Sequence, residues 1–478
     1  MATDALLGID LGTSGVKALV VATDGTVLAE ADAAHPVSAP AHGWAETDPK
    51  EWWTACVGAV HAALARAGHP RIVAIGLDGQ MHGLVLASAD GTPVRPALLW
   101  ADQRATGELV RWRGLSAAEQ TRLANPLTPG MLGPLLSWTA RHEPAALAAA
   151  RWALLPKDWL RLHLTNNAAT DPSDASATLL WDMPANTWSS AAIDAAGVPG
   201  RLLPPVRSSA KSSGELAPEA AAELGLNAGT PVAVGAGDTP AALHATGLRA
   251  QQAQLTVGSG AQLVLLTDTP AAVEGVNVYR TAAATGWYRM AAVQNAGIAL
   301  EWVRGLLGAD WTELYDAAAV GEPGAGKTLF VPHLTGERTP VLDPLATGVL
   351  SGLRLGTDRA AVLRAALEGV ALSVRHAATA LPGGLPASVR LAGGGARHPA
   401  FRRLLADVLG VELVPITLRS ASGLGAALLA ADAVGLSVPA PALGLDLPVR
   451  PGPDRAAYDD VFAAYTAAVD YGAHARAR

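Results

Sequence analysis

The stretch Gly8-Ile-Asp10-Leu-Gly12-Thr13-Ser14-Gly15-Val-Lys17 constrains this chain more than any other. An apolar strand ends in an aspartate, a turn of two glycines, a threonine and a serine follows, and Lys17 starts the return strand. Such a turn brings unshielded backbone N–H groups and hydroxyls to one point, which suits an anion. Asp10 at its edge is placed to hold a hydrated divalent cation. Strands are expected at residues 6–10, 16–23 and 26–30. The last two are joined by an Asp24-Gly25 turn, whose residues tolerate positive φ. The chain therefore opens on an antiparallel meander.

The same unit returns later. Strands at 254–257 and 263–266 flank Gly258-Ser259-Gly260. Two halves that each carry strand, glycine turn and strand predict a duplicated unit, with the boundary near 238–247 and domains at 1–242 and 243–478. Between these landmarks Asp48-Pro49 starts a helix with Trp53, Val57, Val60 and Leu64 on one face, and Gly68 ends it. Further strands are expected at 71–77, 84–88, 231–235 and 389–391. Asp358 caps a helix through about residue 381, Gly410 closes one at 398–409, and a terminal helix fills the last ~25 residues. Alternating strands and helices indicate an α/β protein.

Composition excludes several classes. At 478 residues the chain has room for two to four domains. Half its residues are hydrophobic and only 16% are charged, so it can build a large core. The net charge is −7 and no Lys/Arg run is present, which argues against nucleic-acid and membrane-surface binding. The alanine-rich stretch from Ala421 is broken by Asp432, Pro439 and Pro441 and does not read as a membrane span. Residues 1–4 lack the basic start of a secretory signal. One cysteine, Cys56, leaves no disulfide framework and no cysteine zinc site. The expectation is a soluble cytoplasmic protein.

Three further strings carry chemistry. In Gly235-Ala-Gly237-Asp238-Thr239-Pro240, small residues deliver a carboxylate to a strand end. Asp238 there either accepts a proton from an attacking hydroxyl or simply caps the next helix. Gly258, Ser259 and Gly260 form a second phosphate-type turn. Gly393 to Ala396 bare the backbone after a strand, so that a flat or phosphorylated ligand can lie on Gly394, Gly395 and Ala396. Gly321-Glu-Pro-Gly-Ala-Gly326-Lys327-Thr328 spells a P-loop, but helix precedes it and strand follows, the reverse of what that loop requires.

These residues resemble the FGGY carbohydrate kinases from Leu6 to about Gly435. The first turn is similar to the family's phosphate string and Gly79-Gln80-Met81-His82-Gly83 to its sugar-site string. The strings at 99–104, 155–160, 173–176 and 334–340 are similar to further family motifs, and 391–397 to its adenosine loop. The resemblance implies two ribonuclease-H-like domains, of the actin and hexokinase type, flanking a central cleft. It implies ATP and Mg²⁺ as cofactors, with Asp238 as catalytic base and metal neighbour and Asp10 assisting the metal through water. Gly12, Thr13, Ser14 and Lys17 would join the second-half turns at ATP. Gln80, Met81, His82, Trp100, Asp102 and Thr239 would line the sugar, and dimers are common among such enzymes. The implied reaction is transfer to the terminal hydroxyl of a ketopentose, with D-xylulose first.

The second phosphate turn reads Gly-Ser-Gly rather than the usual Gly-Thr-Ser-Gly, and the other departures fall elsewhere along the family strings. Thr239 stands where Asn or Gln is common, Ala101 where Asn is usual, Leu135 for Lys and Ala177 for Gly. Ribulose, a deoxy-ketose or gluconate therefore stay open as substrates, because sites that bind hydroxyls through polar groups discriminate steeply. An actin-like ATPase machine is the remaining alternative, without a peptide-binding domain to support it. Taken singly, His82 is a sugar donor or a core histidine, and Trp100 a stacking or a packing residue. Asp102 either contacts a hydroxyl or pairs with Arg104.

Overall fold

The computed structural model describes residues 4–283, 285–439 and 443–476. Residues 1–3 and Pro441, invoked above, lie outside them. The first half builds one sheet. β1 (Asp4–Leu11), β2 (Gly15–Ala22) and β3 (Val27–Ala34) form the expected meander. The β2–β3 connection is two residues longer than expected, because Ala22 N–H bonds Thr26 O and both Thr23 and Thr26 join the loop. α1 (Pro49–Arg66) starts where the Asp48 side chain accepts from Lys50 N–H. β4 (Arg71–Gly79) runs parallel to β1 and continues two residues past its expected end, which carries Asp78 into the strand. β5 (Ser212–Glu215), β6 (Pro231–Ala233) and β7 (Ala236–Gly237) follow. The order is β5-β6-β4-β1-β2-β3, with β7 also on β4. α2 (Asp238–Thr246) leaves the end of β7.

The second half repeats the plan. It contains β8 (Ala253–Val257), β9 (Ala261–Thr267), β10 (Asn277–Arg280), β11 (Trp287–Val293) and α3 (Gly297–Leu307). α4 (Arg359–Thr379) is capped by Asp358, β12 (Ser388–Ala392) follows, and α5 (Pro399–Leu409) ends at Gly410. β13 (Glu412–Thr417), α6 (Ala421–Ala433), β14 (Gly444–Leu445) and the terminal α7 (Ala457–Arg476) complete it. The order is β10-β11-β9-β8-β12-β13-β14. In both sheets the central strand pairs antiparallel with the strand after its glycine turn and parallel with a later one: β1 with β2 and β4, β8 with β9 and β12. The false P-loop lies between the helix Trp311–Asp316 and the strand Leu329–Val331, the inverted order read from the sequence.

Strand alternation sorts β1 into two faces. Leu7, Ile9 and Leu11 pack with Trp52, Cys56 and Ala59 of α1. Leu6 faces the other way, with Leu424 and Ala427 of α6. Gly8 and Gly76 share this second face. A Cβ at Gly8 would strike Gly423 O, and one at Gly76 would strike Ala426 O. Gly425 of α6 meets Ala241 of α2 just as closely. A helix from near the chain's end therefore seats directly on the first sheet, and a division at 242/243 separates α6 in sequence from the strands it covers. Small side chains allow this contact, which explains the alanine-rich stretch. No helix among the described residues is long and apolar enough to cross a membrane.

Candidate active site

Asp10 lies on the α6 face of β1, one residue before its end. Ser422 Oγ of α6 donates to Asp10 Oδ2 at 2.6 Å. Lys17, opposite Asp10 in the β1–β2 register, donates from Nζ to Ser420 Oγ at 3.1 Å. Between the strands Gly12 N–H bonds Gly15 O at 2.9 Å. Gly12 O is held by Gln80 Nε2 at 3.4 Å and His35 Nε2 at 3.1 Å. Ser14 is exposed, and Trp100 Nε1 donates to Thr13 Oγ1 at 3.0 Å. The turn is thus anchored from the sugar-site string while its hydroxyls stay near the surface.

Asp238 is the first residue of α2, with its carboxylate at the positive end of the helix. Thr239 N–H donates to its Oδ1 at 2.5 Å. Removal from water pushes its carboxyl up to about 6; the Thr239 N–H opposes this and the Asp10 charge adds to it. A carboxylate so tuned is poised to take a proton near neutral pH. The segment that presents it is braced from behind. Gly237 N–H bonds Ser173 Oγ at 3.1 Å, Gly235 N–H bonds Ser209 O at 3.0 Å, and Arg161 Nη1 donates to Val234 O at 2.8 Å. Both serines donate to Asp171 Oδ2. Asp171 in turn belongs to a fully buried ion cluster, in which Lys157 Nζ lies 2.7 Å from Asp158, 3.2 Å from Asp171 and 3.3 Å from Asp174. Burial works to deprotonate Lys157, but the three carboxylates win and hold it charged. The strings at 155–160 and 173–176 meet here; the sequence reading assigned neither a role.

The sugar-site string follows β4. His82 adopts φ +67°, a region side chains rarely adopt. Burial lowers its pKa to about 4, so the ring is neutral at physiological pH. Ala177 O can only accept, so His82 Nδ1–H donates to it at 2.8 Å, and Nε2 accepts from Tyr279 Oη at 3.4 Å. Tyr288 Oη donates to Met81 Sδ at 3.6 Å. Both tyrosines come from the second sheet, on β10 and β11, and neither was named from the sequence. Asn125 locks the halves together here, bonding Ser176 O at 3.2 Å and Val278 O at 2.9 Å. Asp102 is fully buried. Arg104 holds both its oxygens and Ala45 N–H donates to Oδ2 at 2.7 Å, so of its two readings the structure displays the ion pair. Leu135 and Ala177 are buried, and Ala101 is exposed.

In the second half the Gly258–Gly260 turn closes with Gly258 N–H on Gly260 O at 2.8 Å. Ser259 O accepts from Ala296 and Ile298 N–H at 3.0 Å each, which ties the turn to the start of α3. Gly393 has φ +96°, and a Cβ there would strike Val257 O. The loop after β12 thus lies against β8, the strand that feeds the Gly258–Gly260 turn. Gly394 faces open space, and Tyr315 Oη donates to Gly395 O at 3.3 Å while its ring stacks on His398. Ala396 is buried.

Sequence reasoning passed over a third carboxylate. Asp78 pairs in register with Asp10 on one side and Ala236 on the other. It is fully buried; no backbone or other side-chain donor meets either oxygen, and the one group within hydrogen-bonding reach is the Asp10 carboxylate. Burial, and then the Asp10 and Asp238 charges, push its carboxyl well above the usual range. Its signal was present, since Leu77-Asp78-Gly79 repeats the Ile9-Asp10-Leu11 pattern of an acid at an apolar strand end. Among the described residues no group of three His, Cys, Asp or Glu side chains converges tightly enough to hold a bare metal ion. Hard oxygen donors beside a phosphate turn do fit Mg²⁺, which keeps several waters and uses one or two carboxylates.

Carboxylates on one sheet and bare glycine turns on its duplicate define a phosphotransferase of the two-domain α/β type. The comparisons make that specific. Residues 5–245 match the model for the FGGY family of carbohydrate kinases, N-terminal domain, and residues 253–434 that for its C-terminal domain. The chain belongs to this family. It is 34% identical over 417 residues to the xylulose kinase of Escherichia coli, covering 85% of each protein. It is also 34% identical to the glycerol kinase of Thermus brockianus, covering 88% of each. The crystal structure of xylulose kinase from Rhodospirillum rubrum superposes with a TM-score of 0.92 at 27% identity, covering 99% of this chain and all of that one.

Proposed function

We propose that the chain transfers the γ-phosphoryl group of ATP to the terminal hydroxyl of a ketopentose, converting D-xylulose to D-xylulose 5-phosphate in the cytoplasm. Asp238 accepts the hydroxyl proton as the oxygen attacks. The delivery of this carboxylate to the first turn of α2, two strands from Asp10 at the same sheet edge, is the observation that carries the reading; raised to about 6, it is ionised at neutral pH yet basic enough to take that proton. Gln80, Met81, His82, Trp100 and Thr239 line the sugar. With Nε2 as its acceptor atom, His82 orients a hydroxyl by accepting from it, in place of Tyr279. Backbone N–H groups of the Gly12–Gly15 and Gly258–Gly260 turns, with Lys17, stabilise charge on the phosphates. The Gly394-Gly395 backbone lies beneath the adenosine. Asp10 and Asp238 hold hydrated Mg²⁺. When bound, that ion neutralises charge on the transferred group.

A second reading has its own support. Ala101 is exposed without an amide, Thr239 offers a hydroxyl, and a glycerol kinase is as similar in identity as a xylulose kinase. The acceptor in that case is another sugar, polyol or sugar acid. ADP release with Mg·ATP across D-xylulose, L-xylulose, the ribuloses, gluconate, glycerol and no acceptor decides between them. Stimulation by D-xylulose above all others is expected. Preference for a different acceptor moves the substrate and keeps the chemistry, whereas turnover indifferent to every acceptor overturns both.

A further inference from the structure

Asp78 has no part in the reading above, and its position demands an account. It lies on the middle strand of the three that carry acidic groups to the site: β1 bears Asp10, β4 bears Asp78, and β7 runs straight into Asp238. Alternation places Asp78 on the same face as Gly76, the α6 face, beside Asp10. A fully buried carboxylate normally has a cation or several donors. Asp78 has no such donor, and the one group close enough to share a hydrogen bond with it is the Asp10 carboxylate. Its two strongest charged neighbours, Asp10 and Asp238, are both negative, while Lys157 acts on it more weakly and is engaged with three other carboxylates. Ser422 already serves Asp10, and Thr239 N–H serves Asp238, which leaves Asp78 as the unserved acid of the group.

We infer that Asp78 is an additional acidic group of the divalent-cation site. With Asp10 it holds a hydrated Mg²⁺ or Mn²⁺ in the nucleotide-free protein, so that the cation is in place before ATP arrives. The inference rests on the reading that a cation works at Asp10. Two adjacent buried carboxylates repel each other, and a divalent ion with its waters satisfies both at once: its charge removes the repulsion, and its water O–H groups supply the missing donors. A site of this kind needs no tight three-carboxylate cage, in keeping with the absence of one among the described residues. The competing account is that Asp78 stays protonated and donates to Asp10, in which case its charge plays no part.

Mn²⁺ titration of the full chain, without nucleotide or acceptor and followed by the loss of the free-ion EPR signal, tests this. One saturable Mn²⁺ per chain is expected for the wild type, displaced by Mg²⁺. Asp78→Asn keeps the shape and mimics the protonated acid; it is expected to weaken Mn²⁺ binding by at least about tenfold. Equal Mn²⁺ affinity in wild type and Asp78→Asn overturns the inference and leaves the cation at Asp10 intact. A wild type that takes up Mn²⁺ only once ATP is added also overturns it, without touching the kinase reading. If neither the nucleotide-free wild type nor the protein given ATP without Mg²⁺ takes up Mn²⁺ beyond what the ATP alone binds, the cation reading itself fails. Should Asp78→Asn not fold, Asp78→Ser is titrated against the same wild-type standard, and equal affinity again overturns the inference.

Discussion

The two sheets share a strand order and differ in what they bring to its centre. In the first, the register pairs Asp10 with Asp78 where β1 and β4 end; in the second, the matching β8–β12 pair is Thr256 with Ala392. The loop after β4 carries Gln80, Met81 and His82, whereas the loop after β12 carries three glycines and an alanine. One sheet therefore presents acids and polar side chains, and its duplicate presents backbone. Proton transfer and cation binding need ionisable side chains, while a phosphate or a flat base is held by N–H groups that any side chain would obstruct. The two equivalent strand ends thus differ in chemistry, ionisable and polar side chains at one and bare backbone at the other.

The comparison breaks most visibly at Asp238. Asp238→Asn should lower kcat by about 10²–10⁴-fold while binding of a non-hydrolysable ATP analogue, followed by calorimetry, stays near wild type. Retained turnover would dissolve the division of labour between the sheets. Next in size is the brace behind that residue. Lys157→Met removes the cation shared by three buried carboxylates, leaving Asp158 to Arg161 and Asp171 to its serines, and should cost about 3–5 kcal/mol of stability, read as a lower urea midpoint. On the second sheet, Gly393→Ala forces a side chain into left-handed backbone against Val257 O. It should raise KM for ATP roughly tenfold, the equivalent of about 1.4 kcal/mol, with KM for the acceptor unchanged. A change in acceptor KM instead would mean the halves are not separable.

The smallest effect sharpens the comparison through pH. The Asp238 carboxyl is raised to about 6, and the base is its ionised form, so kcat/KM should be flat above about 6 and fall roughly tenfold per pH unit below it. The Asp10 charge contributes to that rise. Asp10→Asn should therefore move the inflection to lower pH in whatever activity remains, measured over pH 4.5–8.

Much of this was legible along the chain. The meander, the Asp48 and Asp358 caps, the Gly410 stop and the inverted surroundings of the false P-loop depend on neighbours within a few residues, and each appears where local chemistry puts it. Asp10 and Asp238 were readable because small residues deliver them to strand ends. Asp78 was missed because the apolar run was ended at Leu77, before the strand's acid. Tyr279 and Tyr288 were missed because they reach Met81 and His82 from about 200 positions away. Lys157, Asp171 and Asp174 look like ordinary surface charges until three separate segments fold around them.

What this sequence determined by itself is the duplicated strand–turn–strand plan, the family it signals and the acids Asp10 and Asp238 at their strand ends, because periodicity, turn glycines and caps act over a few residues. Tertiary structure alone decided that α6 closes over the first sheet, that a buried ion cluster aims Asp238, and that Asp78 falls between two other carboxylates. Those facts depend on which distant segments share a face, and pairing across hundreds of residues is set by packing of the whole fold rather than by any local string.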